Sequence, residues 1–139
     1  GPDRAALETL RAELGLADRF TFRGSVSDVP GFLCDLDIAV LPSHSEGMSN
    51  AVLEYMAAGK AIVATDVGAN AKLLGDGQYG RLVPAGDQSA LADAMAELVA
   101  DPDAVKVLGE SARARVEAEY SRAAMVRRFE RFYAEMAGK

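Results

Sequence analysis

The sequence predicts one doubly wound α/β domain built on a parallel sheet, and three observations lead there. Ile38-Ala39-Val40-Leu41 and Ala61-Ile62-Val63-Ala64-Thr65 are short runs apolar almost throughout, as expected of strands covered on both faces. Segments of helical periodicity separate them, which predicts parallel strands joined by crossovers. With 139 residues, 50% of them hydrophobic, the chain has the length of a single domain and enough apolar surface for its own core.

Taken in order, Leu7, Leu10 and Leu14 recur at helical spacing within residues 3–14, and Gly15 stands just past a helix end. Phe20-Thr21-Phe22-Arg23-Gly24 is aromatic and β-branched and predicts a first strand. Residues 28–36 predict a short helix that leads into the strand at 38–41, closed by Pro42. Ser49 caps a helix running to Ala58, with Gly59 behind it and the strand at 61–65 next. A helical turn over 71–74 precedes a brief fourth strand, Gly80-Arg81-Leu82-Val83-Pro84. Asp87 opens a helix through Val99, and Asp101-Pro102 places a cap before a proline at the first helical position. Ser121 begins a last helix with Met125, Phe129, Phe132 and Met136 on one face, a stripe that suits the core.

Composition removes several classes of function. A net charge of −6, with 15 Lys and Arg and no long basic run, argues against nucleic acid as a partner. No apolar stretch approaches the roughly 20 residues of a transmembrane helix, and the first residues lack the pattern of a signal peptide. A cytoplasmic protein is therefore expected. Cys34 is the single cysteine, without an intramolecular disulfide partner, and its neighbours Phe32, Leu33 and Leu36 predict a buried thiol.

Ligands of doubly wound sheets bind at the carboxyl ends of the strands, which directs attention to the loops after Arg23, Leu41, Thr65 and Val83. Ser43-His44-Ser45-Glu46-Gly47-Met48-Ser49-Asn50 is such a loop, running from a strand end to a helix start. The N–H groups of Asn50, Ala51 and Val52, with the positive end of the helix dipole, suit a phosphate, and Gly47 allows close backbone approach. The helix itself is apolar nearly all round, so it is expected to be buried with Glu54 as its only charge. That carboxylate either accepts hydrogen bonds from a ligand's hydroxyls or pairs with an amide or arginine inside the protein. Two carboxylates beside an anion would repel it. Glu46 and Glu54 are therefore expected to grip hydroxyl groups on either side, a sugar and a ribose.

Other patterns carry less. Asp35-Leu36-Asp37 has the spacing of a metal-binding motif but enters a strand at its amino end, opposite the expected site, so no metal role is assigned. Gly59-Lys60 is no phosphate loop, because the first glycine of that motif would fall at Glu54, and Lys60 is expected to be solvated. His44 is the only histidine, too few for a zinc cluster and no basis for a nucleophilic triad.

Glu46 and Glu54, with seven residues between them in the string Ser-Glu-Gly-Met-Ser-Asn-Ala-Val-Leu-Glu-Tyr-Met-Ala-Ala-Gly-Lys, resemble the signature of family 4 retaining glycosyltransferases of GT-B fold. Agreement extends over residues 37–68, and residues 20–26 and 80–83 fit the family's strand pattern. The resemblance implies that residues 1–139 form the Rossmann-like, donor-binding C-terminal domain, incomplete and with about four strands. Its first two strands and an N-terminal acceptor domain would be absent. It further implies that Glu46 is catalytic and contacts the transferred sugar, that Glu54 holds the ribose, and that the backbone of Gly47, Met48, Ser49 and Asn50 holds the diphosphate. Gly24, Ser25 and Val26 would lie near the base. The substrate would be a nucleotide diphosphate sugar, with no cofactor and no required metal.

The chain departs from the family at Gly68-Ala69-Asn70-Ala71-Lys72, where Gly-Gly and then an acidic residue are usual, which bears on donor preference. The Arg and Lys that usually clamp the diphosphate belong to the absent region, so the chain alone is expected to be inactive. A non-catalytic nucleotide or nucleotide-sugar binding module, or a self-associating folding fragment, is the alternative; half of an epimerase or phosphorylase is a third. In the strand order 3-2-1-4-5-6, the strand at 20–23 would stand roughly 14 Å from the strand at 38–41, with nothing between. Either the first slides in beside the second, or another copy fills the space through the exposed sheet edges and makes a homo-oligomer.

Overall fold

The computed structural model describes residues 3–124 and 126, and the stripe of Met125, Phe129, Phe132 and Met136 lies outside the described residues. Its elements are α1 (Arg4–Glu13), α2 (Val29–Cys34), β1 (Ile38–Leu41), α3 (Asn50–Ala57), β2 (Ala61–Thr65), α4 (Asn70–Leu73), β3 (Arg81–Val83), α5 (Gln88–Ala100) and α6 (Pro102–Glu119). The strands form one parallel sheet in the order β1-β2-β3, with Ile38 opposite Ala61 and Val63 opposite Arg81. The α/β class expected from the sequence is thus present. Short polar side chains start α2, α3, α5 and α6: Asp28, Ser49, Asp87 and Asp101 each accept a bond from an amide three residues on.

Every residue of the central strand β2 is buried, and its side chains alternate between two cores. Ile62 and Ala64 pack with Val52 and Met56 of α3, Leu73 of α4, and Ala112 and Val116 of α6. Ala61 and Val63 pack on the other face with Ala94 and Leu98 of α5, Val83 of β3 and Leu108 of α6. One close approach sets this geometry. At Gly109 of α6, any Cβ would overlap the carbonyl oxygen of Gly59, so only glycine lets the helix cross the turn before β2 at that depth. Gly59 itself has φ +67°, the left-handed conformation expected behind a helix end.

The fourth strand is a correction. Residues 20–24 form no strand, and the sheet among the described residues has three. A strand needs a neighbouring strand's backbone, and among the described residues none pairs with this segment, whose first amide bonds the Leu16 carbonyl instead. The Phe20 carbonyl accepts from Arg11 Nη1 at 3.1 Å, Phe22 lies against the guanidinium groups of Arg4 and Arg11, and the two phenyl rings meet edge to face at 5.1 Å. The segment at 20–23 has therefore not slid in beside β1, which pairs with β2 alone among the described residues. Helix α1 buries none of its residues, and Leu7, Leu10, Leu14 and Phe20 are 48–61% exposed.

Three side chains lie otherwise than the sequence suggests. Cys34 is exposed, because α2 turns Leu33 inward instead. Lys60 is no free surface residue: its Nζ donates to the carbonyls of Leu36 at 2.7 Å and Cys34 at 3.2 Å, holding the end of α2 against the turn before β2. Glu54 is exposed, since only Val52 and Met56 of α3 are fully buried. No described helix is long and apolar enough to cross a membrane.

Candidate functional site

The carboxyl ends of β1 and β2 release two loops, residues 42–49 and 66–69, that lie against each other. Thr65, the last residue of β2 and 4% exposed, donates from Oγ1 to the Ser43 carbonyl at 2.6 Å. Ala69 N donates to the Gly47 carbonyl at 3.1 Å. Between these ties Gly68, at φ +55°, presses on the peptide after Glu46; a Cβ there would overlap the Glu46 carbonyl oxygen and stand 2.7 Å from its carbonyl carbon. Asn70 is fully buried and donates from Nδ2 to the Thr65 carbonyl at 2.9 Å, while its Oδ1 has no partner among the described residues.

On this base Glu46 is half-buried and accepts a 2.6 Å hydrogen bond from Ser43 Oγ. The N-terminus of α3 follows three residues later. Ser49, 1% exposed, takes the Val52 amide as its cap at 3.4 Å, so Val52 is not among the amides open to an anion. Asn50 and Ala51 remain, with the helix dipole behind them. Gly47 has nothing within 4 Å of a built Cβ, Met48 is 64% exposed, and the loop is open to solvent on this side.

The sequence-derived site residues fall into three places. Glu46, Gly47, Met48, Ser49 and Asn50 form the loop just described. Glu54, one turn into α3, lines a cavity of about 400 Å³ with Val29, Pro30, Leu33, Cys34 and Arg113. It is not engaged with that arginine, whose Nε bonds Glu117 at 2.9 Å. Ser25 and Val26 line a separate groove of about 660 Å³ with Phe22, Asp28 and Phe32, which none of residues 46–50 borders; Gly24 beside them is exposed at φ +69°. Tyr55, next to Glu54, holds its phenol proton above the ordinary range, through burial first and the Glu54 charge second. His44 is exposed and borders a cleft of about 250 Å³ with Thr65, Pro84, Asp87 and Gln88 across the strand ends.

Ser43, Thr65, Gly68 and Asn70 shape this site and were not among the residues the sequence singled out for it. A serine three residues before Glu46 and a glycine three past a strand end were the only local signals. The contacts of Thr65 and Gly68 with the loop span 22 residues each, whereas Ser43 and Asn70 bond groups three and five residues away.

The family described as "Glycosyl transferases group 1" matches residues 1–101. The lipopolysaccharide core biosynthesis mannosyltransferase LpcC of Rhizobium leguminosarum bv. viciae is 38% identical over 120 residues, which are 84% of this chain and 34% of that protein. Among solved structures, sucrose-phosphate synthase from Thermosynechococcus elongatus aligns with a TM-score of 0.84 at 30% identity, over 99% of this chain and 35% of its own. HepE of Anabaena, solved in complex with UDP, shares the fold with a TM-score of 0.86 at 22% identity, over 94% of this chain and 36% of its own. The chain thus spans about a third of the length of each of these three proteins.

Proposed function

This chain belongs to the group 1 glycosyl transferases, and from that membership we propose that it is the donor-binding half of a retaining enzyme that moves a sugar from a nucleotide diphosphate to a hydroxyl acceptor. The observation that carries this reading is the half-buried Glu46 carboxylate, braced by Ser43 beside the open amides of Asn50 and Ala51 at the carboxyl end of a parallel sheet. In this reading the amides and the dipole of α3 take the diphosphate and stabilise the charge that gathers on it as the glycosidic bond breaks. Glu46 fixes the sugar by its hydroxyls, and Glu54 takes the ribose. Gly24, Ser25 and Val26 reach the base once a nucleotide spans the two loops, and the reaction needs no metal. The acceptor site and a basic diphosphate clamp belong to the two thirds of such an enzyme outside these residues, so the chain alone is inactive.

Calorimetric titration with UDP, GDP and ADP and with their hexose conjugates tests this. Glu46→Ala should weaken binding of the sugar conjugate and spare the bare nucleotide. Equal weakening of both would remove the sugar from Glu46, and no binding of any nucleotide would remove the donor site.

A second reading concerns association. The edge of β1, unpaired among the described residues, and the exposed Leu7, Leu10, Leu14 and Phe20 favour self-association of the chain. Light scattering over a concentration series should give a mass that rises with concentration; a constant monomer mass would end this reading.

A further inference from the structure

We propose that Ser43 is the positioning residue of Glu46: its hydroxyl holds one carboxylate oxygen and thereby presents the other to the donor sugar. This rests on the reading of Glu46 as the sugar contact. Serine three residues before glutamate is also the spacing of a helix capping box, in which the serine would bond a backbone amide. Here residues 43–46 lie outside any helix, and the hydroxyl bonds the carboxylate itself, at 2.6 Å, in partly buried surroundings. That is the length of a hydrogen bond from a hydroxyl to an ionised acceptor.

The serine is anchored from below. Its carbonyl accepts from the nearly buried Thr65 hydroxyl at 2.6 Å, which fixes the Ser43 backbone to the end of β2. Glu46 is anchored from the side by Gly68 and by the Ala69 amide on the next carbonyl. With both backbones fixed, the one remaining freedom is rotation of the glutamate side chain, and the Ser43 hydroxyl removes it. A carboxylate offers about four acceptor positions, and the serine takes one. Among the described residues no other group bonds that carboxylate, so Oε2 keeps its capacity for a ligand hydroxyl.

The test uses the 139-residue chain as Ser43→Ala, Ser43→Thr and Glu46→Gln, with two readouts. The first needs no ligand: with glutamate ¹³C-labelled at Cδ, the Glu46 carboxylate resonance should shift in Ser43→Ala and return in Ser43→Thr. The second is calorimetry with UDP, GDP and ADP against their glucose and mannose conjugates. Ser43→Ala should cut the affinity gained from the sugar by about tenfold, the size of one charge-assisted hydrogen bond, leave bare nucleotide unchanged, and be rescued by threonine. An unmoved Glu46 resonance in Ser43→Ala overturns the proposal, as does an unmoved sugar gain while Glu46→Gln loses it. If Glu46→Gln itself leaves the sugar gain intact, the Glu46 reading fails and the positioning role falls with it. If the chain binds none of these ligands the donor reading fails, and the resonance alone then decides whether Ser43 holds the carboxylate.

Discussion

Gly68→Ala should damage the loop that carries Glu46, and neighbouring glycines allow its cost to be divided. Residue 68 sits at φ +55°, where an L-residue other than glycine costs roughly 1–2 kcal/mol. The new Cβ would also overlap the Glu46 carbonyl oxygen and approach the Gly47 carbonyl oxygen to 3.0 Å. These are backbone atoms and cannot rotate away, so overpacking adds about 1–3 kcal/mol. A total near 3 kcal/mol corresponds to a fall in Tm of about 10 °C for a domain of this length. Gly86 has φ +80° and nothing within 4 Å of its Cβ position, so Gly86→Ala isolates the backbone cost, about 1–2 kcal/mol. Gly47 has neither feature, and Gly47→Ala should leave stability unchanged. Thermal and urea unfolding followed by circular dichroism measure all three, and amide exchange at Ala69 reports whether its bond to Gly47 survives. A Gly68→Ala chain as stable as Gly86→Ala would refute the idea that residue 68 is packed against the Glu46 peptide.

Three further outcomes are expected. Glu54→Gln should weaken nucleoside diphosphate binding by about 1–3 kcal/mol, because an amide accepts fewer bonds from ribose hydroxyls; unchanged affinity in a folded variant would take the ribose away from Glu54. Tyr55 keeps its proton in the folded chain at pH values where the unfolded chain loses it, so its contribution is complete below about pH 10 and is lost as pH rises beyond that. Tyr55→Phe should therefore flatten the alkaline fall in stability, and an unchanged slope would deny the raised phenol. Lys60→Met should cost about 1–3 kcal/mol in urea unfolding by freeing the carbonyls of Cys34 and Leu36, whereas a truly solvated lysine would cost nothing measurable.

What the sequence revealed divides along the range of the forces involved. Strands β1, β2 and β3 and the caps at Ser49, Asp87 and Asp101 were legible, because continuous apolar runs and capping side chains act over a few residues. The place of the loop from Ser43 to Asn50, between a strand end and a capped helix, was legible for the same reason, since a strand end, a polar loop and a helix cap are all local. Residues 20–24 misled because β-propensity describes a surface that needs a partner, and here arginine side chains of α1 take the place of a ladder. Glu54, Cys34 and Lys60 misled because helix periodicity shows that a face is buried but not which neighbour covers it. Apolar residues all round α3 do not enclose Glu54, and a lysine past a helix end found two carbonyls 24 and 26 residues upstream. The brace of Thr65 on Ser43 spans 22 residues and left no trace in either local string.

The guanidinium of Arg115 reaches from α6 back to α4, donating to the carbonyls of Leu73 and Lys72 at 3.0 Å each and lying 4.6 Å from the centre of the Tyr79 ring. Helix α4 begins two residues after Gly68, so the backing of the Glu46 loop is tied down by a side chain that lies 42 and 43 residues later than its acceptors. On a ribosome adding about 5–20 residues per second, this places the arrival of the tether some seconds after the loop itself has been made. During that interval β1 and β2 can already pair and the segment at 66–73 can already tie to the Glu46 loop through the Ala69 amide, but the carbonyls of Lys72 and Leu73 wait for α6. A nascent polypeptide halted before residue 115 would then hold the Glu46 loop by its ties to Thr65, Gly68 and Ala69 alone, without the tether that reaches α4 from behind.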